Sequence, residues 1–73
     1  MELKNNRLIN SRIKKVFTQE ELAGMLGYTK AAVSNWENGV SVPRMKDAFI
    51  LSKILEKEVD YLFLTKETQN LIL

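Results

Sequence analysis

Apolar residues recur along the chain at spacings of three and four, and this pattern predicts five helices and no strands. The first helix is expected from about Lys4 to Lys15, where Leu8, Ile9 and Ile13 form a stripe with Arg12 at its edge. Basic residues crowd its last turn, which suits the negative end of the helix dipole. The second helix has a sharp start. In Thr18-Gln19-Glu20-Glu21 the threonine and the glutamate three residues on form a capping box, and Phe17 and Leu22 have the spacing of a hydrophobic staple. Leu22, Met25 and Leu26 line one face, and Gly27 supplies a left-handed stop. Thr29 is placed to cap a third helix, with Val33 and Trp36 turned inward and Asn38-Gly39 at its end. After a short loop, Pro43 pre-sets a fourth helix. There Met45, Ala48, Phe49, Ser52 and Leu55 share a face that Leu51 and Ile54 broaden. A short fifth helix is expected around Asp60 to Leu64. The core candidates are Leu22, Leu26, Tyr28, Trp36, Phe49, Leu51 and Leu55.

Composition narrows the chemistry. The chain has 73 residues, which makes one small domain, and it contains 0 Cys and 0 His. Disulfide frameworks, zinc fingers and His-based nucleophile pairs are therefore excluded, and no metal or cofactor is expected. Packing must stabilise the fold, from a hydrophobic content of 45%. The acidic pairs Glu20-Glu21 and Glu56/Glu58 stand beside no nucleophile or apolar cleft, so an enzyme is not expected. No apolar run follows a basic start and no run is long enough to span a membrane, so a cytoplasmic protein is expected. The net charge is only +2. Its distribution is uneven: residues 1–46 carry eight basic and four acidic side chains, and residues 47–73 carry three and five. The positive part is the natural seat for a polyanion.

That positive part also holds a spacing pattern. With Gln19 as its first position, a small residue, Ala23, stands fifth, where two helices must approach closely, and Gly27 stands ninth, in the turn. Leu22, Leu26, Tyr28, Val33 and Trp36 take the fourth, eighth, tenth, fifteenth and eighteenth positions. This is a helix-turn-helix pattern over residues 19–38. Lys30, Ala31, Ser34 and Asn35 share the outward face of the second helix, opposite Val33 and Trp36. Lys30 has the chemistry to donate to guanine and Asn35 to bond adenine, Ala31 suits a thymine methyl, and Ser34 a base or a phosphate. The same face would equally serve as an ordinary solvated surface. Gln19 opens a helix whose free N–H groups suit a phosphate. Trp36 reads as core, not as a stacking platform.

Thr18-Gln19-Glu20-Glu21-Leu22-Ala23, Leu26-Gly27, Val33-Ser34-Asn35-Trp36-Glu37-Asn38-Gly39 and Pro43 resemble the phage repressor and Cro family, also called the xenobiotic-response-element family. The resemblance covers roughly residues 7–64. It implies an all-α, compact five-helix bundle of the lambda-repressor-like type, with a DNA-binding domain over 1–64 and a tail over 65–73. It implies a homodimer on double-stranded operator DNA, with the helix 30–38 in the major groove, a docking known from phage repressors. Base readout would fall to Lys30, Ala31, Ser34 and Asn35. Thr18, Gln19, Asn38 and Arg44 would contact the DNA backbone, with Gln19 also bracing the recognition helix and Arg44 near a narrow minor groove. For Asn38 the plain alternative is a helix stop, and for Arg44 an exposed cation. Arg12 and Glu37 would form a structural salt bridge. The dimer would use the region of Tyr61, Phe63 and Leu64, with the tail Leu71-Ile72-Leu73 either joining it or disordered. A repressor or Cro-like regulator is the first expectation, and a protein-interaction module such as an antitoxin or antirepressor subunit the alternative.

Two positions depart from that family. Val16 and Glu56 stand where it usually has helix-stopping glycines. A β-branched residue disfavours positive φ, so either another backbone shape in the turn into Phe17 or a later end of the first helix is expected, and the fourth helix is expected to run on to Lys57 or Glu58.

Overall fold

A computed structural model of the chain describes residues 4–63. Leu64 and the tail lie outside the described residues. Five helices follow in order: α1 (Asn6–Lys14), α2 (Gln19–Leu26), α3 (Lys30–Glu37), α4 (Met45–Leu55) and α5 (Val59–Phe63), with no strand among the described residues. α2 and α3 pack on each other most extensively, α1 and α4 each pack on α5, and α1 also meets α3. Leu8, Leu22, Ala23, Val33, Trp36, Leu51, Leu55 and Leu62 make one buried core drawn from all five helices. Phe17, Leu26, Ile54 and Phe63 pack against its edge.

All four of the longer helices end in one way. A residue at positive φ follows the helix, and the next N–H reaches back to the carbonyl five residues earlier, the bond that closes a left-handed helix stop. The residues at positive φ are Val16 (64°), Gly27 (79°), Gly39 (77°) and Glu56 (57°). The closing bonds are Phe17 to Arg12, Tyr28 to Ala23, Val40 to Asn35 and Lys57 to Ser52, between 2.9 and 3.2 Å. The expectations for Val16 and Glu56 are thus overturned. Both adopt the left-handed conformation without glycine, and α4 stops at Leu55. Each is held by side chains as well as backbone. Arg12 Nη1 donates to Phe17 O at 2.9 Å, and Lys15 Nζ meets Glu56 Oε2 at 2.7 Å, which joins the two turns.

Several assignments shift by a face or a residue. α1 starts after Asn5, whose side chain accepts from Leu8 N and donates to Leu62 O at 2.6 Å. That helix buries Leu8 and Ser11 and leaves Ile13 exposed, because Arg12 is turned toward Glu37. Met25 is exposed as well. α4 begins at Met45, two residues later than a proline at N1 would place it. Its inward face is Asp47, Ala48, Leu51 and Leu55, so Met45 and Phe49 point outward, Phe49 at 55% exposure. Tyr28 lies at the rim and not in the core.

Candidate nucleic-acid interface

The α2–turn–α3 unit is built from local signals. Thr18 Oγ1 accepts from Glu21 N at 3.0 Å while Glu21 Oε1 accepts from Thr18 N at 2.9 Å, a complete capping box. It fixes where α2 starts and leaves the N–H groups of Gln19 and Glu20 outside that box. Gly27 ends α2, and Thr29 precedes α3 in extended conformation. Thr29 makes no side-chain cap bond, contrary to its expected role. Its hydroxyl is exposed beside Lys30 at the positive end of the α3 dipole.

Along α3 the division of faces is clear. Val33 and Trp36 are buried, Lys30, Ala31 and Asn35 are exposed, and Ser34 is half-buried. The side chains of Lys30 and Asn35 make no hydrogen bond or ion pair among the described residues. Asn38 Nδ2 lies 3.3 Å from Ser34 Oγ, so these two polar groups sit together at the C-terminal end of that face.

Behind the face lies a buried polar junction. Glu37 is 2% exposed. Its Oε2 accepts from Arg12 Nε at 2.6 Å, and its Oε1 accepts from Arg12 Nη2 at 3.2 Å and from Gln19 Nε2 at 2.8 Å. One carboxylate thus ties α1, the start of α2 and the end of α3 together. The two-pronged guanidinium contact fixes orientation as well as distance. It also keeps the negative charge of Glu37 off the outer face. Gln19 spends one amide proton on this junction and remains half-buried at the α2 N-terminus.

On the other side of α3, Arg44 is exposed at the N-cap of α4 and makes no side-chain cap bond. Next to it lies a contact the sequence reading missed. Tyr28 Oη donates to Asp47 Oδ2 at 2.5 Å, and the Tyr28 ring meets Trp36 edge-on with centroids 5.3 Å apart. Asp47 is 3% exposed. The hydrogen bond to Asp47 raises the Tyr28 phenol above its ordinary pKa, with burial and the Asp47 charge adding to it and the Arg44 charge opposing. The available signal was an acid at the third position of a helix, where the dipole favours it, but nothing in the sequence pairs it with a tyrosine nineteen residues away.

The proposed association region divides in two. Tyr61 is exposed but carries two cations over its ring, with Arg7 4.8 Å and Lys57 5.3 Å from the centroid. Phe63 instead joins Met45, Phe49 and Val59 in an open apolar groove between α4 and α5, rimmed by Glu58 and Asp60.

Among the described residues no group of acidic side chains could hold a metal ion, and no helix is long and apolar enough to cross a membrane. A helix-turn-helix family profile matches residues 8–62. The chain is 35% identical over 63 residues to the HTH-type transcriptional activator BcrR of Enterococcus faecalis. The match covers 86% of this chain but 31% of that protein, so the chain spans less than a third of its relative's length. No solved structure gives a significant match. With its capped α2, left-handed turn and outward polar face on α3, and with the profile spanning the bundle from α1 to α5, the chain belongs to the Cro/C1-type helix-turn-helix family of DNA-binding transcription regulators.

Proposed function

We propose that this chain is a sequence-specific double-stranded DNA-binding regulator that lays α3 in the major groove and represses by occupying its operator. The observation that carries the reading is the state of α3. Its inner face is fixed by Val33, Trp36 and the Glu37 junction, while Lys30 and Asn35 keep their polar ends available. A rigid helix with uncommitted donors is what base readout requires. In this reading Lys30 and Asn35 select bases, Ala31 contacts a thymine methyl, and Ser34 supports one or the other. Thr18, Gln19, Asn38 and Arg44 contact the backbone, and Thr29 joins them. The protein works by binding and not by catalysis, in the cytoplasm with the chromosome. The DNA-binding unit is the segment 1–64.

The dimer in this reading uses the Met45, Phe49, Val59 and Phe63 groove more than Tyr61, because an apolar patch of this kind gains most from being covered. A twofold pair would set two α3 helices about 34 Å apart, one turn of DNA. Its relative is named an activator, which favours a second reading: the bound domain recruits rather than blocks. A promoter carrying the selected site, fused to a reporter, separates the two by the sign of the change. Selection of bound duplexes from a random pool tests the function itself. A symmetric site with a defined half-site is expected, and recovery of unenriched DNA would overturn the reading.

A further inference from the structure

Arg44 is the extended N-cap of α4 and Asp47 its third residue, two positions that neighbour each other across the first turn. The acid is buried and the arginine exposed, yet the two form no ion pair: among the described residues the ion pairs are Arg12–Glu37 and Lys15–Glu56. The Asp47 carboxylate is instead engaged by the Tyr28 hydroxyl from the helix-turn-helix turn. The Arg44 charge opposes the rise in the Tyr28 phenol's pKa that this hydrogen bond causes, so it acts on the same pair. A buried carboxylate deprived of its donor recruits the nearest cation, because leaving it unpartnered is costly.

We propose that Tyr28 is a positioning residue that keeps Arg44 available to DNA, by occupying the buried Asp47 carboxylate that would otherwise capture it. This rests on the DNA-binding reading above. Tyr28 is well placed for the task. Its N–H closes the α2 turn on Ala23, its ring is held against Trp36, and its hydroxyl crosses to α4. One side chain therefore couples the geometry of the motif to the charge state of the segment beyond it. Without the hydroxyl, Asp47 and Arg44 close on each other, and a phosphate contact is withdrawn from the interface with no change in α3.

The test is the salt dependence of binding to a fluorescein-labelled, mixed-sequence DNA duplex, which reads phosphate contacts irrespective of site. Tyr28→Phe is expected to reduce the slope of log K against log salt by about one per protomer and to weaken low-salt binding by roughly five- to tenfold. Arg44→Ala is expected to show the same loss, with Tyr28→Phe adding nothing to it. The discriminating variant is Tyr28→Phe/Asp47→Asn. A neutral amide has no hold on Arg44, so slope and affinity are expected to return toward wild type, whereas a merely structural role for Tyr28 predicts a double variant no better than the single one. An unchanged slope in Tyr28→Phe, or no recovery in the double variant, overturns the inference while a salt-dependent wild type leaves the DNA reading standing. A wild type that does not bind overturns both. If Trp36 fluorescence shows Tyr28→Phe to be unfolded, Asp47→Asn alone decides: wild-type slope supports the inference, and a slope reduced by one overturns it.

Discussion

Side chains at positive φ carry a cost of roughly 1–2 kcal/mol that glycine avoids. Val16 and Glu56 bear that cost at two helix ends. At Val16 the side chain itself contributes little packing to offset it, being 84% exposed. Val16→Gly should therefore stabilise the fold by about 1 kcal/mol, a rise in Tm of roughly 4–8 °C for a domain of this size. Glu56→Gly should gain less at neutral pH, because it also removes the Lys15 ion pair. That pair, through its hydrogen bond first and its charge second, holds the Glu56 carboxyl below its ordinary pKa. A folded-state value below the unfolded one stabilises at neutral pH and is lost as pH falls through the folded value. The advantage of Glu56→Gly over wild type should thus widen on acidification, which thermal melts at neutral and acidic pH would show. These two positions mark where sequence reading stopped. Gly27 and Gly39 announce their turns, but at Val16 and Glu56 an intrinsic preference was overruled by backbone closure and, at Val16, by the Arg12 contact on the next carbonyl.

Among the helices, α3 was the most legible, because a period of 3.6 separates Val33 and Trp36 from Lys30, Ala31 and Asn35 without ambiguity. α1 and α4 were less so. Their apolar residues outnumber the positions that face the core, so periodicity alone placed Ile13 and Phe49 inside when both are exposed. What decides α1 is polar: Arg12 must reach Glu37 and the Phe17 carbonyl, and this rotates Ser11 inward. The pairing of Arg12 with Glu37 entered the sequence reading only through family resemblance, as did Gln19 as a brace of the recognition helix, but nothing named Glu37 as the partner of Gln19. Breaking this junction from one side should be severe. Arg12→Ala strands a buried carboxylate and should cost about 3–5 kcal/mol, a large share of a small domain's stability. Adding Glu37→Gln to that variant should recover part of the loss, since the uncompensated charge is then gone. Denaturant titrations followed by Trp36, the chain's one tryptophan, would measure both. The capping box is worth less: Thr18→Ala should cost about 1 kcal/mol by the same assay.

In the assembled bundle, charge and apolar surface point in different directions. The exposed donors of α3, the α2 N-terminus and Arg44 belong to the positive part of the chain, and the α4–α5 groove with its acidic rim belongs, Met45 apart, to the negative part. A modest net +2 is therefore compatible with a basic DNA face backed by an association face. If that groove is the dimer contact, Phe49→Glu should leave the monomer folded, since Phe49 is more than half exposed, yet abolish cooperative binding to a two-half-site duplex in a sedimentation series. If α3 reads the bases as proposed, Asn35→Ala should cost about 1–3 kcal/mol on the selected site and little on scrambled DNA. The most direct measurement is the affinity of the wild-type chain for its selected duplex and for a scrambled duplex across a salt series. We expect log K to fall linearly with log salt on both duplexes, with the selected site tighter by roughly 10³-fold or more. Equal affinities for the two duplexes, or binding indifferent to salt, would contradict a sequence-reading role for α3.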